Sequence, residues 1–210
     1  MGAFYIAMDK RVNVYVDGFN LYYGLKSKKW KKYYWIDIVR FFEQFIKPNQ
    51  VLEQVYYFTA VPKNTIKKDR QDLFFSANKL NPKFKLIFGK YLEKTVRYCG
   101  QEFKTYEEKQ TDVNIAVEMI RNVVFNKCDI SILVSADSDL LPPINLLREL
   151  SPEHKIFVFF PPNRYSTDLA NHCDNSINLL RYEQRFKKAI MEEEIQLPNG
   201  YIIKKPSTWK

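Results

Sequence analysis

Short runs of branched and aromatic residues alternate with segments of helical periodicity over most of this chain of 210 residues. The strand-like and helix-like runs fall at 12–17, 35–46, 51–61, 65–80, 84–91, 112–126, 130–136, 143–150, 155–160, 167–173 and 176–179. Runs such as Val12-Asn13-Val14-Tyr15-Val16 and Ile130-Ser131-Ile132-Leu133-Val134 are apolar almost throughout, so they must be covered on both faces. Strands of this kind joined through amphipathic helices imply an α/β fold: a mainly parallel sheet, right-handed crossovers and helices on either side. The clearest helical stripe is Val113, Ala116, Val117, Ile120 and Val124, with Thr111 as its N-cap and with Asn114, Glu118, Arg121 and Asn122 off it.

Two stretches depart from the alternation. Residues 90–108 alternate polar and apolar around Gly100, which predicts an antiparallel hairpin appended to the sheet edge. Residues 183–210 are a charged segment followed by a tail, expected either to pack back through Ile202 and Trp209 or to dock on another chain, a second copy or a partner protein. With 46% hydrophobic residues the chain can bury one substantial core and is short for two, so the expected organisation is one domain over 11–182 and a C-terminal helix and tail over 183–210.

Three acids stand where such a sheet would gather them. Asp17 ends the first strand, Asp137 follows the run ending in Val134-Ser135-Ala136, and Asp112 opens the periodic helix after Lys109-Gln110-Thr111. In open α/β sheets ligands bind outside the carboxyl ends of the strands, beside the point where strand order reverses. Gathered carboxylates raise one another's pKa unless a cation neutralises them, and their hard oxygens favour Mg²⁺ or Mn²⁺ over zinc. Each acid alone also suits a local structural role, with an Asx turn at Asp17, a dipole-favoured first turn at Asp112, and a cap at Asp137 and Asp139 before Leu140-Leu141-Pro142-Pro143. Their coincidence is what points to a site. Glu118 is turned about 120° around its helix from Asp112, which makes Asp112 the better ligand.

The chain carries 33 Lys and Arg against 24 Asp and Glu, a formal charge of +9 that suits a polyanionic partner. Lysines alternate with aromatics in Lys26-Ser27-Lys28-Lys29-Trp30-Lys31-Lys32-Tyr33-Tyr34-Trp35. Lys28, Lys29, Lys31 and Lys32 are expected on phosphates and Trp30 under an unpaired base, with Trp35 entering the core and Lys63, Lys67, Lys68 and Arg70 extending the track. His154 and His172 form no ligand pair and read as structural. Cys99, Cys128 and Cys173 are widely spaced, which disfavours structural zinc and suits a reduced, cytoplasmic setting. No apolar run has the length of a membrane span, and the apolar opening Met1–Met8 lacks the marks of a signal peptide or a myristoylation site.

Val16-Asp17-Gly18-Phe19-Asn20, Lys109-Gln110-Thr111-Asp112-Val113 and Ser135-Ala136-Asp137-Ser138-Asp139-Leu140, in that order, resemble the motifs of the NYN domain family, the LabA-like branch of the PIN-like metal-dependent nucleases. The resemblance implies a Rossmann-like sheet of order 3-2-1-4-5 and a ribonuclease that hydrolyses phosphodiester bonds with Mg²⁺ or Mn²⁺. RNA is the expected partner, with DNA as the other polyanion to be tested. By resemblance Asp17, Asp112 and Asp137 are the metal ligands, and the fourth acid is Asp139, Glu118 or Asp174. Asn20, Lys109 and Ser135 would position the acids or the phosphate. Ala136, Leu140 and Glu118 stand where the family often has Gly, Phe and Asp. Two further readings compete: a PIN-like module that binds RNA or recruits a partner without cutting, and, remotely, a phosphatase of the haloacid dehalogenase type, suggested by Asp137-Ser138-Asp139 alone.

Overall fold

The structure, a computed structural model, describes residues 9–61 and 65–209, apart from the side chain of Tyr98; Met1–Met8 and Lys63 lie outside the described residues. Its strands are β1 (Lys10–Asp17), β2 (Gln50–Thr59), β3 (Phe84–Phe88), β4 (Lys90–Tyr98), β5 (Gln101–Lys109), β6 (Ile130–Val134), β7 (Lys155–Phe160), β8 (Asn175–Asn178), β9 (Glu194–Gln196) and β10 (Ile202–Lys204). Its α-helices are α1 (Gly18–Ser27), α2 (Ile38–Glu43), α3 (Thr65–Asn78), α4 (Thr111–Val124), α5 (Leu141–Leu150), α6 (Thr167–His172) and α7 (Glu183–Ala189).

The main sheet has the order β3-β2-β1-β6-β7-β8, and all its pairings are parallel. Counted among its own strands this is the expected 3-2-1-4-5, extended by a sixth strand, β8, at one edge. β1 is central, which explains why its residues from Val12 to Asp17 are all buried. The strands send alternate side chains to two apolar layers. Val12, Val14 and Val16 meet Trp35, Phe41, Phe42 and Phe186, under α1, α2, α3 and α7. Tyr15, Phe58 and Leu133 meet Ile115, Met119, Ile144 and Leu147, under α4 and α5.

α4 corrects the sequence reading. Its buried residues are Thr111, Ile115, Glu118, Met119 and Asn122, whereas Val113, Val117 and Val124 are 63%, 57% and 57% exposed. The inner face keeps Glu118 and Asn122 because their polar atoms are partnered: Asn122 Nδ2 donates to Glu118 at 3.4 Å and Tyr56 donates its hydroxyl to Asn122 at 3.3 Å. Thr111 is the first helical residue and not the cap; Gln110 takes that place at φ +77°, and Glu108 accepts from the Thr111 amide at 3.1 Å.

The hairpin also differs in detail. β4 and β5 form their own two-stranded sheet and do not pair with β3. Cys99 and Gly100 turn the chain at φ +49° and +75°, the two positive values that a two-residue type I′ turn requires. At its base Gly89 lies so close to its neighbours that a Cβ would stand 2.6 Å from the Lys109 carbonyl oxygen and 2.7 Å from Thr111 Oγ1. The tail packs back on the domain, through Ile203 (2% exposed) where Ile202 was expected, and through Trp209 against Tyr34 and Trp35. The three cysteines are free, and no helix among the described residues is long and apolar enough to cross a membrane.

Candidate active site

Strand order reverses between β1 and β6, and the two acids at their carboxyl ends meet there. Asp17 is 2% exposed and caps α1: its Oδ1 accepts from the Asn20 amide at 2.9 Å. Its Oδ2 accepts from Asn20 Nδ2 and, at 2.9 Å, from the Ser135 hydroxyl. A carboxylate offers about four lone-pair sites, so these bonds leave roughly one, on Oδ1. Gly18 permits this arrangement, since a Cβ there would lie 2.6 Å from both the Phe58 carbonyl oxygen and the Tyr57 ring. Ser135 also accepts from the Asp137 amide at 3.1 Å, which ties the end of β6 to the end of β1. Asp137 in turn accepts from the Asp139 amide at 3.0 Å and caps the single turn that leads into α5.

Asp112, half-buried in the first turn of α4, completes the group. Its carboxyl is pushed up to about 6, first by burial and then by the charges of Asp17, Asp137, Glu108 and Asp139. Burial pushes the Asp17 carboxyl up as well; the Asn20 and Ser135 hydrogen bonds oppose this and Asp137 adds to it. Asp17, Asp112, Asp137 and Asp139 form no ion pair among the described residues. Nor, among the described residues, do three acidic, histidine or cysteine side chains stand together as a finished metal cage. The donors are all carboxylate oxygens, which is the set that suits a hard divalent cation.

Of the other residues singled out from the sequence, Asn20 and Ser135 join the site through Asp17. Glu118 does not: it is 8% exposed, bonds to Arg121 and Asn122, and is not among the charges acting on Asp112. Asp174 lies beyond the opposite, amino-terminal end of the sheet, held by Arg148 at 2.6 Å, Lys155 at 3.4 Å and the Ile156 amide at 2.8 Å. Trp30 is 9% exposed and packs on Tyr33 and Phe186, so it offers no stacking face. Lys32 pairs with Glu183 at 3.3 Å and Lys109 with Glu107 at 2.8 Å, while Lys28, Lys29 and Lys31 are exposed. His154 is buried against Ser131 at 2.9 Å, and burial lowers its imidazole to about 4, a neutral structural group at ordinary pH.

Two residues at the site had no signal in the sequence. Glu108 presses its charge on Asp112 from the end of β5. Arg164, in the loop after β7, donates to Asn20 Oδ1 at 3.2 Å and sets a cation one residue removed from Asp17.

The model of the NYN domain family matches residues 11–180. A curated relative, 6-hydroxy-3-succinoylpyridine 3-monooxygenase from Pseudomonas putida, is 25% identical over 66% of this chain, which spans 55% of that protein's length. A solved structure of a Vibrio parahaemolyticus protein of unknown function shares the fold, with a TM-score of 0.56 and 17% identity over 85% of this chain and 96% of that one.

Proposed function

This chain belongs to the NYN domain family, and from that premise we propose that it is a metal-dependent nuclease hydrolysing phosphodiester bonds in RNA. One observation supports the reading above the rest: the Asp112 carboxyl, at a helix start, is raised first by burial and then by four other acids, Asp17, Asp137, Glu108 and Asp139, with no ion pair among the described residues to neutralise them. Asp17, Asp112 and Asp137 would hold Mg²⁺ or Mn²⁺, with Asp139 an outer acid. When bound, the ion supplies an activated water and stabilises the charge that develops on the attacked phosphate. The chain's own part is positional. Ser135 and Asn20 fix the Asp17 carboxylate by three hydrogen bonds, so that its remaining lone pair is aimed before substrate arrives. Arg164, anchored on Asn20, is placed to take a non-bridging phosphate oxygen.

The deciding experiment incubates the purified protein with labelled single-stranded and duplex RNA and DNA in Mn²⁺, Mg²⁺ or chelator, beside Asp17→Asn. Chelator-sensitive cleavage of RNA, absent in the variant, is the expected result. A second reading, a module that holds RNA without cutting it, is favoured by the lack of a finished metal cage among the described residues. Intact RNA in every metal would select it. The oxygenation named for the Pseudomonas putida relative is not proposed for this chain, which spans about half of that protein.

The raised Asp112 carboxyl makes a prediction independent of activity. Its folded value, about 6, exceeds the unfolded value of about 3.9. Its contribution to stability is therefore fully present below the unfolded value and is lost as pH rises through the folded one. In chelator, the melting temperature of the wild type relative to Asp112→Asn should fall between about pH 4 and about pH 7. Divalent ion should restore it near neutrality in the wild type alone. Parallel melting curves for the two proteins at every pH, with and without metal, would remove Asp112 from the site.

A further inference from the structure

A larger cleft adjoins the acids through Gly18, the residue that follows Asp17. α1 leaves Asp17 along one wall, carrying Phe19, Tyr22, Tyr23 and Lys26 on successive turns, and α3 forms the wall opposite. Tyr91 and Tyr106 from the hairpin close one side and Trp209 from the tail closes another, around a volume of about 730 Å³. That is the size of a site for a small organic ligand, or for part of a polymer.

Of the rings along it Tyr33, Tyr57, Phe74 and Phe75 belong to the core, whereas three others stand open to solvent. Tyr22, Tyr23 and Tyr106 are 39%, 46% and 44% exposed. The rings of α1 meet their neighbours edge to face or tilted, and do not stack in parallel: Tyr22 and Tyr23 at 5.2 Å and 69°, Tyr22 and Tyr34 at 5.1 Å and 42°, Phe19 and Tyr91 at 6.1 Å and 84°. In an edge-to-face pair the ring that presents its edge keeps its own faces clear of its partner, and an uncovered aromatic face is what another planar π system takes up. Cations accompany them. Lys26 Nζ stands 5.6 Å and Arg164 Cζ 5.9 Å from the Tyr23 ring, and Lys31 and Arg70 line the cleft farther along, Arg70 donating to Thr208 of the tail at 3.0 Å. Planar faces interleaved with fixed positive charge match the two halves of a nucleotide, its base and its phosphate.

We propose that this cleft binds unpaired bases of a single-stranded polynucleotide, with the adjoining phosphates on Lys26, Lys31 and Arg164, and so delivers single strands in preference to duplex to the acids. The second half of that statement rests on the nuclease reading; the first does not. A paired base has both faces stacked on its neighbours, and an intact duplex cannot offer them to Tyr22 or Tyr91.

The test is made in chelator, so that nothing is cut, by fluorescence anisotropy of labelled single-stranded RNA, single-stranded DNA of the same sequence, and the duplex of each with its complement. Single strands of either sugar should bind more tightly than duplex. Tyr22→Ala and Tyr91→Ala should each weaken single-strand binding roughly 5- to 150-fold at unchanged salt slope, and Tyr22→Phe, which keeps the ring, should bind as the wild type does. Lys26→Ala with Lys31→Ala should instead reduce the salt slope by about 0.7 for each lost phosphate contact. Duplex bound as tightly as single strand, or both alanine variants binding as the wild type does while melting normally, would overturn the proposal. So would a small aromatic carboxylate that fills the cleft and is not displaced by oligonucleotide. Cleavage that persists unchanged in the alanine variants would sink the cleft and spare the acidic site; single-strand binding without cleavage in any metal would do the reverse.

Discussion

Asp137→Asn should reduce chelator-sensitive RNA cleavage by about a thousandfold or more while leaving the fold intact. The magnitude follows from the several kcal/mol of charge stabilisation that a correctly held ion contributes, at about 1.4 kcal/mol for each tenfold in rate. Retention of the fold follows from the local geometry. Asp137 uses Oδ1 to accept from the Asp139 amide, and an asparagine carbonyl oxygen can accept the same bond. Its charge burdens both Asp17 and Asp112, so neutralising it relieves repulsion. Asp17→Asn is the harsher change, because that carboxylate also caps α1 and receives Ser135. Rates should be compared in Mn²⁺ at matched, melt-verified concentrations. Full activity in both variants would place the chemistry elsewhere or assign it to a contaminant.

Trp35→Ala should destabilise the protein by about 3–5 kcal/mol, the range for removing a large buried aromatic side chain, against about 5–15 kcal/mol for a whole domain. Trp35 is 0% exposed in the layer beneath α2 and α7. It also fastens the tail: its indole donates to the Glu192 carbonyl at 2.8 Å, its own carbonyl accepts from Met191 at 3.1 Å, and its ring lies 6.2 Å from Trp209. Urea unfolding followed by circular dichroism reads the loss, and a shift of Trp209 emission before the main transition would show the tail leaving first. A cost below about 1 kcal/mol would mean that the layer closes over the gap, contrary to the packing described.

The central strands could be read from the sequence because a strand covered on both faces has no choice but to be apolar, as β1 and β6 are. The strand-end acids could be read for the same reason: Asp17 and Asp137 break runs in which a charge has no other place. What the sequence hid depends on partners. Glu118 and Asn122 look like an outer face until Tyr56 and Arg121 are seen beside them, and the valines of α4 look like an inner one. Trp30 and Trp35 share one run of lysines, and nothing local says that both are enclosed. The exchange of Ile202 for Ile203 is a one-residue step along a strand, which reverses the face. Arg164 is 144 positions from Asn20, and only the β7 loop brings the two together. Asp174 shares its residue type with the site and differs in which end of the sheet it occupies.

The hairpin has its own energetics. Two strands paired only with each other are marginal in water, and β5 is exposed along nearly its whole length, so this unit can open at a free energy well below that of the sheet. Gly89, wedged against Lys109 and Thr111, marks the base of the hairpin. Tyr91 and Tyr106 ride on the hairpin, Tyr22 and Tyr23 on α1, and Asp112 stands three residues past Lys109 at the hairpin's base. The molecule thus has one fixed jaw and one compliant jaw, and the gap between them can change width at little thermodynamic expense while β1 and β6 keep their two acids in register.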